Sequence, residues 1–185
     1  MKNKKNRDIE IRNLKANDIK PLIGLHLSLD AGERSSYRPC SFTCFGVFCF
    51  VTIIYFSSSV RILKKFAYPQ TNYLALVAID NRTKDYAGFC FLQQDKKTEK
   101  SVAELGIVVT KNFRNQGVAY SMIKELIKLA YDNKIEKIKL GVMLKNTAAI
   151  HLYKKIGFSI ISKKDYYYDG KRYDMLTMSF AIPSM

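Results

Sequence analysis

"FRNQGVAYSMIKELIKLA", residues 113–130, holds the most legible signal in the chain. Ala119, Met122, Ile123, Leu126, Ile127 and Ala130 recur at three- and four-residue intervals, with Lys124, Glu125, Lys128 and Asp132 elsewhere, which predicts an amphipathic helix. Just before it stand Arg114, Gly117 and Ala119. The first N–H groups of a helix lack intrahelical partners, and the macrodipole puts partial positive charge there. Gly117 and Ala119 carry little or no side chain, so a phosphate could reach the backbone closely, and Arg114 adds a full charge. The stretch therefore predicts an anion site at the mouth of a helix. The competing reading is a tight turn in which small residues only relieve crowding. A GxxxxGK[ST] loop and a GxGxxG fingerprint are both absent from the sequence.

Working outward, residues 102–109, "VAELGIVV", predict the strand that feeds this turn. Upstream, "YLALVAID" and "YAGFCFLQQD" flank the turn "NRTK" and predict an antiparallel pair. Downstream, "KIKLGVM", residues 137–143, predicts another strand. "NTAAIHLYKKI" predicts a short helix opened by Asn146 and closed by Gly157, with Phe158 placed for a C-terminal contact. Two final strands flank Asp169-Gly170, a hairpin signal. Near the start, residues 8–14 predict a strand. A helix then follows, with Asn17 or Asp18 as its N-cap and Pro21 in its first turn. A further helix is predicted over 57–68. The order predicts one α/β (α+β) domain, residues 8–182, around a mostly antiparallel sheet, after a flexible basic start at 1–7.

The 185 residues are 48 % hydrophobic and carry a formal net charge of +15. That composition suits a folded domain and favours anionic partners. Cys40, Cys44, Cys49 and Cys90 form no CxxC pair, and the histidines are His26 and His151 alone, so no metal site is expected. No cleavable signal peptide is visible, which points to a reducing cytoplasm with free thiols. The apolar run "FTCFGVFCFVTIIYF", residues 42–56, is shorter than the roughly 20 residues of a spanning helix. It reads as a buried segment or a substrate-side lid in preference to a membrane contact.

The two helix openings together resemble the GNAT family of acetyl-CoA-dependent N-acetyltransferases. Its [RQ]-x-x-G-x-[GA] motif is matched by Arg114, Gly117 and Ala119. Its N-x-x-A-x-x-[LF]-Y-x-x-x-G-F motif is matched by Asn146, Ala149, Leu152, Tyr153, Gly157 and Phe158. The resemblance is close over 73–180 and looser over 8–72. It implies the GNAT fold, a central mixed, mostly antiparallel sheet flanked by helices, and acetyl-CoA as cosubstrate. It would place the pyrophosphate on the N–H groups of Asn115, Gln116, Gly117, Val118, Ala119 and Tyr120. The pantetheine arm would lie along Ile107, Val108 and Val109, in a V-shaped slot between strands 102–109 and 137–143 that Gly106 and Gly141 could ease open. Asn146 and Ala149 would lie near the thioester end.

Transfer to an amine needs a base for the nucleophile and a proton or dipole for the leaving thiolate. Tyr153 matches the family's tyrosine near the sulfur, and its phenol suits the acid role; the alternative is a core tyrosine. Glu104 is the candidate base, directly or through water; the alternative is a surface carboxylate paired with a lysine. His151 lies about 200° of helix rotation from Tyr153 and reads as a surface residue. The expected acceptor is the primary amine of a peptide or protein, or of a small molecule, attacking in a ternary complex. A homodimer is compatible with this reading, and no nucleic-acid or membrane partner is firmly indicated. The competing class is a non-catalytic acyl-CoA-binding module that docks on nucleic acid through its charge.

Overall fold

A computed structural model describes residues 7–29, 71–95, 101–168 and 171–183. Its strands are β1 (Ile9–Asn13), β2 (Thr71–Asp80), β3 (Tyr86–Asp95), β4 (Val102–Val109), β5 (Lys137–Met143), β6 (Ser159–Tyr168) and β7 (Lys171–Ala181). Its described α-helices are α1 (Ile19–Leu27), α2 (Val118–Asp132) and α3 (Thr147–Ile156). The predicted helix over 57–68, the apolar run 42–56, Cys40, Cys44, Cys49 and the Asp169-Gly170 turn lie outside the described residues.

The strands form one sheet in the order β1-β2-β3-β4-β5-β7-β6. Every neighbouring pair is antiparallel except β4 with β5. That exception follows from the connection: α2 carries the chain over one face of the sheet, as a parallel neighbour requires.

Strand alternation sorts the side chains between two faces. Leu76, Ala78, Cys90, Leu92, Ala103, Leu105, Ile138, Leu140, Val142 and Met178 pack with the apolar stripe of α2 and with Ile150 and Tyr153 of α3. Tyr73, Ala75, Val77, Ile79, Phe89, Phe91 and Val108 face the other way, against Leu22, Leu25 and Leu29 from the α1 region.

Asp18 ends a 3-10 turn that runs into α1, and the N-cap of that turn is Lys15, not Asn17 or Asp18 as expected from the sequence; the Asp18 carboxylate caps from inside the turn, through the Lys15 N–H. It accepts two 2.8 Å bonds from the Arg12 guanidinium, one of 2.6 Å from the Lys15 N–H, and one from the Tyr86 hydroxyl. Burial alone would raise this carboxyl's pKa. The Arg12, Tyr86 and Lys15 bonds and the Arg12 charge outweigh it and hold the pKa below the usual carboxylate range. Burial and the bond to Asp18 push Tyr86 up to about 12. The cluster ties the start of α1 to β1 and β3.

Candidate active site

The site is built where the sheet divides. Strands β4 and β5 pair only over Val102↔Lys137, Ala103↔Ile138 and Glu104↔Lys139. Beyond that point β4 stays with β3 as far as Val109, and β5 stays with β7 as far as Met143. The two halves of the sheet therefore part after Glu104 and Lys139, leaving a slot bordered by an edge of β4 that no other strand pairs among the described residues. The Thr110 N–H donates to the Ala87 carbonyl at 3.0 Å, toward β3. Antiparallel alternation then turns the polar groups of Val109 and Ile107 toward the slot.

Among the described residues, no partner is present for the Ile107 and Val109 N–H groups. The Val109 carbonyl accepts a 2.9 Å bond from Arg114 Nε, which ties the turn back onto the strand. The Val109 carbonyl is thus already engaged, and Arg114 is a brace as well as a charge.

Between β4 and α2 the backbone runs through positive φ at Asn115 (59°) and at Gly117 (82°). Gly117 is the N-cap of α2, in the left-handed region that favours glycine. A Cβ placed on it would meet no atom within 4 Å, so the ground before it is open. Ser121 N–H closes the first helical bond, to the Gly117 carbonyl. Among the described residues, the N–H groups of Asn115 through Tyr120 make no bond to the protein. Unbonded donors at the mouth of a helix have the chemistry of an anion site. Gln116 bonds through its side chain to the Asn112 carbonyl, and the Lys155 ammonium from α3 lies 5.6 Å from the Tyr120 ring centre. Lys155 drew no attention in the sequence, because it reads there as an ordinary exposed helix lysine.

The second motif folds as its local chemistry requires. Asn146 Oδ1 accepts from the Ala149 N–H at 3.2 Å, so capping is an observed role of this side chain. Gly157, at φ 116°, closes α3, and the Gly157 and Phe158 N–H groups bond to the Tyr153 carbonyl. Tyr153 is buried, with its ring 5.8 Å from that of Phe158; His151 is exposed, as its direction on the helix predicts.

Glu104 occupies the last paired position of β4, facing away from Ala103 and Leu105 and hence away from α2. Solvent reaches its side chain, yet enough protein crowds the carboxyl to raise its pKa by desolvation. Among the described residues it makes no ion pair or hydrogen bond. The lysine-paired alternative therefore does not describe this carboxylate, although Lys139 is its register partner. No group of His, Cys, Asp and Glu suited to a metal ion is present among the described residues, and none of the described helices is long and apolar enough to cross a membrane.

The model of the Acetyltransferase (GNAT) family matches residues 48–158. The chain belongs to the GNAT family. It is 38% identical over 69 residues to the L-amino acid N-acetyltransferase AaaT of Escherichia coli (strain K12), an alignment covering 36% of this chain and 42% of that protein. The chain thus spans less than half the length of this curated relative. The fold is that of a GNAT-family acetyltransferase from Streptococcus pneumoniae, with TM-score 0.73, 24% identity, and 95% and 100% of the two chains covered. It is also that of yncA from Salmonella typhimurium, solved with acetyl-CoA, with TM-score 0.72, 14% identity and 96% of each chain covered.

Proposed function

We propose that this chain is an acetyl-CoA-dependent N-acetyltransferase acting on a primary amine of a small molecule, peptide or protein. One observation carries the reading: the gap that opens where β4 leaves β5 leads to six N–H groups of a helix mouth that are unbonded among the described residues. A long, thin cosubstrate with a pyrophosphate at one end suits that shape. Its phosphates would lie on Asn115 through Tyr120. Its amide arm would pair with Ile107 and Val109 along β4, and the thioester would lie toward Asn146, Ala149 and Tyr153.

The amine nitrogen bonds to the thioester carbonyl carbon, and the carbon–sulfur bond breaks. Glu104, with its raised pKa, takes the amine proton directly or through water. Tyr153 gives the departing thiolate a proton. The relative's name, L-amino acid N-acetyltransferase, supports a small acceptor within this range.

Free thiol release from acetyl-CoA tests the proposal, using a panel of amines and peptides. Acceptor-dependent release is expected. Acetyl-CoA binding without turnover on any acceptor would return the chain to a non-catalytic binding module.

A further inference from the structure

Glu104 and Lys139 are cross-strand partners, the last pair before the sheet parts. Neighbours in register share a face. The flanking residues Ala103, Leu105, Ile138 and Leu140 all lie in the core under α2 and α3. Both charges therefore stand on the opposite face, about 4.8 Å apart at the backbone by ordinary strand spacing. They do not close on one another, since Glu104 makes no ion pair among the described residues.

Two residues further on, on that same face, both strands carry glycine. A Cβ on Gly106 would lie 2.4 Å from the Phe91 ring, and one on Gly141 would lie 2.9 Å from the Met175 methyl. The Phe91 ring and the Met175 thioether thus lie over the two backbones where side chains would otherwise project. An acid and a base side by side, at the head of an apolar floor, complement a molecule with an amine, a carboxylate one carbon away, and an apolar side chain.

We propose that the acceptor is an α-amino acid with an apolar side chain, its amine directed to Glu104 and its carboxylate held by Lys139. This rests on the acetyltransferase reading and narrows its acceptor. An ammonium has three donors, so holding a carboxylate does not require Lys139 to be otherwise unengaged. The amine nitrogen gains the acetyl carbon, its proton passes to Glu104, and the sulfur leaves and is protonated. Lys139 acts on binding and takes no part in the proton transfers.

The test compares L-methionine with 3-(methylthio)propylamine, which keeps the same side chain and amine but lacks the carboxylate. The unmodified chain should favour methionine in kcat/KM by roughly 10- to 100-fold, the range of one charge-assisted bond. Lys139→Met should remove most of that preference, raising KM for methionine far more than KM for the propylamine, while acetyl-CoA still binds. Lys139→Arg should keep it. An undiminished preference in Lys139→Met overturns the assignment of Lys139. Transfer to the propylamine alone, or to neither compound by a chain that still binds acetyl-CoA, overturns the acceptor class while the cofactor site stands. Failure to bind acetyl-CoA at all would remove the acetyltransferase reading and this inference with it.

Discussion

At the scale of single residues, the two proposed proton-handling roles can be tested one side chain at a time. In the proposed base role, Glu104 would draw on the desolvation that makes its charged form costly, and that cost is also a stability statement. Its pKa is raised in the folded state, so the fold holds this proton more tightly than the unfolded chain does. Stability therefore falls as pH rises from the ordinary carboxylate value of about 4.3 to the raised one, and stays lowered above it. Glu104→Gln should melt slightly higher than the parent at neutral pH and equally below about pH 4. Its kcat/KM should fall most at low pH, where little amine is neutral, with the loss shrinking toward the amine's own pKa. A defect equal at every pH, measured by thiol release, would assign the base to an ordered water. Tyr153→Phe keeps the ring against Phe158 and removes only the hydroxyl. Its turnover number should drop by roughly 10²–10⁴, with acetyl-CoA affinity nearly unchanged. Turnover near that of the parent would leave Tyr153 as a core residue.

At the scale of elements, the turn from β4 into α2 is held by its own geometry. Arg114 bonds back to Val109, Gly117 takes the left-handed conformation, and the helix begins with donors that are unbonded among the described residues. Gly117→Glu would put a carboxylate into the open ground before those donors and force a side chain into a strained φ, at about 1–2 kcal/mol. The variant should fold with a modestly lower Tm and lose acetyl-CoA binding by calorimetry. Full affinity in a folded variant would move the phosphate site elsewhere. Asp18 teaches a different lesson. Its carboxylate caps the turn before α1 through the Lys15 N–H, and a partly buried guanidinium and the Tyr86 hydroxyl also bond to it. Position along the chain cannot reveal that convergence, because Tyr86 lies 68 residues away.

For the molecule as a whole, the divided sheet predicts where a ligand's protection will appear. The Val108 N–H faces β3, whereas those of Ile107 and Val109 face the slot without a partner among the described residues. Amide hydrogen exchange should therefore be fast at Ile107 and Val109 in the free chain and slow sharply with CoA bound, while Val108 changes little. Equal slowing at all three amides would indicate general rigidification and not an added strand.

The sequence alone determined what depends on a single turn or strand. These features are the amphipathic α2 with its glycine mouth, the Asn146 cap and Gly157 stop of α3, and the β6–β7 pairing. Each is written in side chains a few residues apart, where periodicity and backbone preference act directly. The tertiary structure decided that β4 and β5, 35 residues apart at Glu104 and Lys139, meet for only three pairs and then part. It also set Lys139 beside Glu104 and laid Phe91 and Met175 over Gly106 and Gly141. Those relations follow from how distant strands close into register, and one residue's slip would turn every side chain to the opposite face.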